Sequence, residues 1–109
     1  MSLRVVVLAS AESDLQDLKS YILHHFDRDT WRATYGRIKD GVARIQHQPQ
    51  AGKVVPELAR LDMVQYRQVL AGKNRIVYEV RADTAYIHLV CDTRRDLQGL
   101  LMRRLERSS

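Results

Sequence analysis

The stretch Tyr66–Leu105, YRQVLAGKNRIVYEVRADTAYIHLVCDTRRDLQGLLMRRL, decides the fold. Side chains alternate along it in short runs, the period of half-buried strands. Val64, Tyr66, Gln68 and Leu70 alternate with Gln65, Arg67 and Val69. Gly72-Lys73-Asn74 suits a tight hairpin turn. Ile76, Tyr78 and Val80 then alternate with Arg75, Val77, Glu79 and Arg81, and the chain turns again near Asp83. Tyr86 to Cys91 is apolar enough to be a central strand. In each alternation the first set suits a core face and the second an open one. Tyr66 and Tyr78 are therefore expected to pack, and the arginines to line the free face. After Arg94-Arg95, Asp96 can cap a helix carrying Leu97, Leu100, Leu101 and Leu105 on one side. Arg103 and Arg104 lie off that stripe.

Working outward, Leu3 to Ala9 (LRVVVLA) reads as a strand buried on both faces. Ser10 suits an N-cap, and Leu15, Leu18, Ile22 and Phe26 follow at helical spacing, predicting a helix over 11–26. Asp29 or Thr30 can cap a second helix, whose stripe is Trp31, Tyr35, Ile38, Val42 and Ile45. That helix must end before Pro49. Two helices joined so tightly pack as an antiparallel hairpin. Residues 48–62, holding both prolines, form the one long connection. The order is β-α-α-β-β-β-α. It predicts an α+β fold in which a mostly antiparallel sheet packs on an N-terminal helix hairpin. The C-terminal helix is expected to cover the other face partly, if at all.

The chain has 109 residues, the size of a single domain spanning 1–109. Its 45% apolar content can fill one core. The net charge is +5, and the excess is uneven. Residues 1–50 hold seven basic and six acidic side chains, and residues 51–109 hold eleven and seven. An anionic partner should therefore meet the second half. The lone cysteine, Cys91, forbids an internal disulfide and fits a reducing cytoplasm. No apolar run approaches the ~18 residues of a membrane span. His24 and His25 are adjacent on a helix and point apart, so no metal site is expected. No phosphate-loop, dinucleotide or nucleophile-elbow motif occurs, and no cofactor is expected.

What remains is a basic constellation: Lys53, Tyr66, Arg67, Lys73, Arg75, Arg81, Tyr86, His88, Arg94 and Arg95. Arginines on a sheet face can hold phosphates through forked hydrogen bonds. The plainer alternative is a face of cross-strand pairs, such as Glu79 with an arginine. Arginine recurs strand after strand, which favours the anion-binding surface.

The chain resembles the ParE/RelE superfamily of bacterial toxins from type II toxin–antitoxin modules. The likeness rests on the opening strand followed by SAESDLQDL, on GVARIQHQPQAGKVVPEL, on YRQVLAGKNRIVYEV and on IHLVCDTRRDLQGLL, in that order and spacing. It covers nearly the whole chain. The resemblance implies a toxin neutralised by a cognate antitoxin, with operator DNA met only through that antitoxin. It implies one of two mechanisms. RelE-like members cut messenger RNA in the ribosome; ParE-like members poison DNA gyrase.

For RNA cleavage the resemblance implies an arginine in the RIVY-like strand, basic residues after the last strand, and an aromatic or histidine near the C-terminus. Arg75 matches the first, and Arg94 or Arg95 the second. Nothing matches the third, because no Tyr or His follows Arg95. A cleavage site without its acid or base loses on the order of 10²–10⁴-fold. Such an enzyme would have to use Arg67, Arg75 and Arg95 with His88 or Tyr86 as a substitute acid. The leucine helix LQGLLMRRLER also resembles the ParE branch. The expectation is therefore a gyrase inhibitor that acts by binding, without catalysis of its own. Its target- or antitoxin-binding surface is expected to draw on Lys53, Arg67, Lys73, Arg75, Arg81, Arg94, Arg95, Arg103 and Arg104. A third possibility is an inactive member kept as an antitoxin partner.

Overall fold

The structure is a computed structural model that describes residues 2–108. The chain runs β1 (Arg4–Val7), α1 (Ala9–His25), α2 (Arg28–His47), β2 (Lys53–Val54), α3 (Pro56–Ala59), β3 (Tyr66–Ala71), β4 (Asn74–Arg81), β5 (Thr84–Asp92) and α4 (Leu97–Ser108). The expected order is all present. The long connection adds two short elements. Lys53 and Val54 pair with Gln68 and Arg67 as an edge strand. Pro56 starts α3, where its fixed φ suits the first helical turn.

The five strands lie in the order β1-β5-β4-β3-β2. β1 runs parallel to β5, and the other neighbours are antiparallel. Gly72 makes the β3–β4 turn at a φ of 62°, a region that costs glycine nothing. The helix hairpin covers one face. Ala11 and Ile22 of α1 are buried, as are Ile38, Gly41 and Ile45 of α2. Of these, Ala11, Ile38 and Ile45 form one cluster with Val69, Ala71, Ile76, Tyr78, Ala85, Ile87 and Val90. Gly41 lets α2 sit close to the sheet: a Cβ there would fall 2.8 Å from Ile76 Cδ1.

The other face is not open. Val55, Leu58, Tyr66, Val77, Leu89, Cys91, Leu97 and Leu101 form a second buried cluster under α3 and α4. Leu97 and Leu101 are fully buried, so α4 is a genuine third layer. Leu105, expected on the same stripe, has its side chain outside the described residues.

Register corrects the face assignment of β3. Tyr66 pairs with Glu79, Gln68 with Val77, and Arg67 with Tyr78. Partners share a face, so Tyr66 belongs to the second cluster and Arg67 to the hairpin side. Val64 precedes the strand and is exposed, and Leu70 is 55% exposed. In α2, Trp31 and Tyr35 stack on each other at 5.3 Å outside the core. The caps also differ from expectation. α1 starts at Ala9, and Asp27 caps α2 by accepting from Thr30 N–H at 2.8 Å. Asp96 does accept from Gly99 N–H in the first turn of α4, at 3.1 Å.

One irregularity shapes the second face. The β4–β5 register shifts between Val77, opposite Leu89, and Tyr78, opposite Ile87. His88 is the extra residue of a bulge. Bulges re-aim side chains, and this one brings His88 and Leu89 to the same face.

Candidate functional site

β1 is short and pairs only with Thr84–Ile87. β5 runs on to Asp92, so its outer edge beyond Ile87 has no strand neighbour among the described residues. Backbone groups along a bare edge need partners. Side chains supply them. Ser10 Oγ donates to the His88 carbonyl at 3.3 Å, and Arg104 Nη1 donates to the same oxygen at 3.1 Å. Val90 N–H donates to Asp14 Oδ2 at 3.0 Å. Arg104 also grips Asp14 with both guanidinium nitrogens, Nη1 to Oδ2 at 2.8 Å and Nη2 to Oδ1.

A groove of about 1170 Å³ follows this edge. One wall is apolar, with Leu18, Tyr21, Ile22 and Phe26 from the helix hairpin. Tyr21 and Phe26 are 56% and 62% exposed, so large rings stand at the mouth with solvent on one side. The lining is also basic, with Arg37, Lys73, Arg94 and Arg95. Arg94 is held by Asp92, its Nε donating at 3.0 Å, and the same hydrogen bonds keep the Asp92 carboxyl below its usual range. Lys73 and Arg95 are exposed and make no ion pair among the described residues. The groove thus brings exposed aromatic rings and uncommitted positive charge to one surface.

The remaining sequence-predicted residues are dispersed. Arg75 lies in the second face between α3 and the β5–α4 loop. It pairs with Glu57 at 3.0 Å and donates to Gln68 Oε1 at 3.2 Å and the Thr93 carbonyl at 3.1 Å. Arg67 reaches the other way and donates to the Gly52 carbonyl at 2.7 Å. Lys53 is exposed on the β2 edge, and Arg103 is exposed on α4. Arg81 pairs with Glu79 at 3.0 Å and lies over the Tyr86 ring. His88 shares a 3.0 Å hydrogen bond with Glu79, and the Tyr66 ring meets it edge-on at 5.3 Å. Burial pushes the Glu79 carboxyl up, but the hydrogen bonds from Arg81 and His88 outweigh it, so the group sits below its usual range. Glu79 is thus an ionised acceptor.

Chemically, these residues are mostly committed. Arg75 has three partners, and His88 and Glu79 serve each other. Burial pushes the Cys91 thiol up, which leaves it a poor nucleophile. What stands open is the groove, and it is equipped for binding. Of the predicted residues, Lys73, Arg94, Arg95 and Arg104 line it. Sequence reading missed Arg37, Tyr21 and Phe26. Phe26 read as a core position, and no sequence signal placed Arg37 beside the Gly72 turn. No sequence signal tied Asp14 to the edge of β5. Among the described residues, no helix is long and apolar enough to cross a membrane.

Solved structures share this fold, among them the following two. A chain of the chromosomal ParDE toxin–antitoxin system of P. aeruginosa superposes with a TM-score of 0.66 at 12% identity, over 84% of this chain and 96% of that one. A chain of the RelBE2 toxin–antitoxin complex of Mycobacterium tuberculosis gives 0.60 at 18% identity, over 84% and 99%. No curated protein matches the sequence. Residues 5–97, from β1 into the start of α4, match the family described as ParE toxin of the type II toxin–antitoxin system parDE, and the chain belongs to that family.

Proposed function

We propose that this protein is the toxin of a type II module that arrests growth by binding DNA gyrase, and that it is not a nuclease. One observation carries the choice. Arg75, the strand arginine a cleaving relative would use, is largely buried and bonded to Glu57, Gln68 and Thr93. The face around it is closed by Leu97 and Leu101 of α4. His88, the substitute acid, is only 13% exposed at its side chain and is tied to Glu79. A general acid must reach the group it protonates, to within about 3 Å or through one water. Membership in the ParE family supports the same choice.

The groove is the natural seat of the antitoxin. An extended or helical segment with apolar side chains would cover Tyr21 and Phe26, and its acidic residues would meet Lys73, Arg95 and Arg37. Operator DNA would be met only through that antitoxin. The toxin works in the cytoplasm, where gyrase and DNA are.

Induction of the toxin without its antitoxin tests the target in cells. Nucleotide incorporation into DNA should stop while amino-acid incorporation continues. Early arrest of protein synthesis with cut messages would replace this reading with the ribonuclease.

A further inference from the structure

Asp14 is engaged twice. Its Oδ2 accepts from Val90 N–H on the bare edge of β5, and both its oxygens accept from Arg104 of α4. Both side chains are mostly shielded, at 13% and 22% exposure, so the ion pair is weakly screened by water. Arg104 in turn donates to the His88 carbonyl on the same edge. Leu97, Leu101 and the partly buried Leu100 also hold α4 against the second face.

We propose that Asp14 is a latch that couples the β5 edge to the C-terminal helix. α4 is then a lid over Val77, Leu89 and Cys91, and the Asp14–Arg104 pair is its catch. A strand that paired with β5 beyond Ile87 would take Val90 N–H and the His88 carbonyl for itself. That exchange removes two of the bonds that hold Asp14 and Arg104 in place, and it loosens the lid. Binding in the groove on one side would thereby expose apolar surface on the other. The consequence for the bound state rests on reading the groove as the antitoxin's seat, whereas the latch belongs to the free toxin.

Cys91 is buried in one cluster with Leu97 and Leu101, and Asp14 and Arg104 also act on its thiol through their charges. The lid is therefore read from labelling rates divided by the thiolate fraction, taken from the pH profile of each variant. The experiment follows thiol labelling of Cys91 by a disulfide reagent and amide exchange at Val90 in the free protein. Asp14→Asn should speed labelling roughly tenfold, the effect of losing one charge-assisted bond. Arg104→Met should do the same and also speed exchange at Val90, because coupling is reciprocal. The double variant should label no faster than either single one. Wild-type labelling rates in Asp14→Asn would overturn the latch. Faster labelling in Arg104→Met with unchanged exchange at Val90 would overturn the coupling. An equal acceleration at the Ile76 and Ile87 amides would mean global unfolding and would also overturn it. No antitoxin enters these measurements, so failure of the groove assignment leaves their result intact.

Discussion

Arg75 and Glu57 face each other at 3.0 Å, with side chains only 12% and 26% exposed. The pair joins β4 to the one-turn helix α3, across the second face of the sheet. An arginine whose chemistry would suit cleavage is thereby a structural tie. Removing one partner of a shielded pair leaves the other charge uncompensated. Arg75→Met should therefore cost about 2 kcal/mol in urea unfolding, of the order of a lost charge-assisted bond. A double cycle with Glu57→Gln should show coupling of at least about 0.5 kcal/mol. Unchanged stability in Arg75→Met would mean that the arginine is held for another purpose.

Glu79 makes stability depend on acid. Its folded carboxyl lies below the ordinary 4.5, because the hydrogen bonds from Arg81 and His88 outweigh burial. A depressed carboxyl contributes stability above its unfolded value and loses it as pH falls through the folded value. Glu79→Gln should be less stable than wild type near neutrality. The gap should close as pH falls below 4.5. Urea midpoints across that range check it, and a constant gap would remove Glu79 as a source of acid sensitivity.

Gly52 is required by contact. A Cβ there would run into the Tyr78 hydroxyl and ring. The same hydroxyl donates to the Pro49 carbonyl at 2.6 Å, which pins the connection after α2 to β4. Gly52→Ala should cost about 1–3 kcal/mol by overpacking. Tyr78→Phe should cost about 1 kcal/mol through the lost hydrogen bond. Because Phe removes the clashing hydroxyl, the double variant should cost less than the sum, as thermal or urea unfolding would reveal.

These tests also mark what was legible in the sequence. Period-two alternation placed β4, and the helical spacing of Leu15, Leu18 and Ile22 placed α1. Those signals depend on local pattern alone. The faces of β3 were harder to read. Val69 and Leu70 are adjacent and both apolar, so alternation does not choose between the faces, and which residue opposes Glu79 is set by the Gly72 turn and by pairing. The covering of the second face was hidden for a related reason. Arg75 and Glu79 look like an open surface until Glu57 and His88 arrive from distant segments to bond with them. The site followed the same rule. Lys73 and Arg95 could be named from charge, but their convergence with Arg37, Tyr21 and Phe26 is a property of topology.

The basic lining of the groove should be separable from the fold. Lys73 and Arg95 are exposed, so Lys73→Glu with Arg95→Glu should change stability by no more than about 0.5 kcal/mol. The double variant should weaken antitoxin binding by at least tenfold at low salt, and the loss should shrink as salt rises. Calorimetric titration at two salt concentrations measures both. Unaltered affinity would move the antitoxin's acidic contacts elsewhere.

The central claim is that the toxin binds gyrase and performs no cleavage of its own. Purified toxin, gyrase and plasmid test it most directly. The account predicts blocked supercoiling or accumulation of linear plasmid near a one-to-one ratio of toxin to gyrase. The effect should vanish when the antitoxin is added. Unaffected gyrase at stoichiometric excess, with codon-specific cuts in translated message, would contradict it.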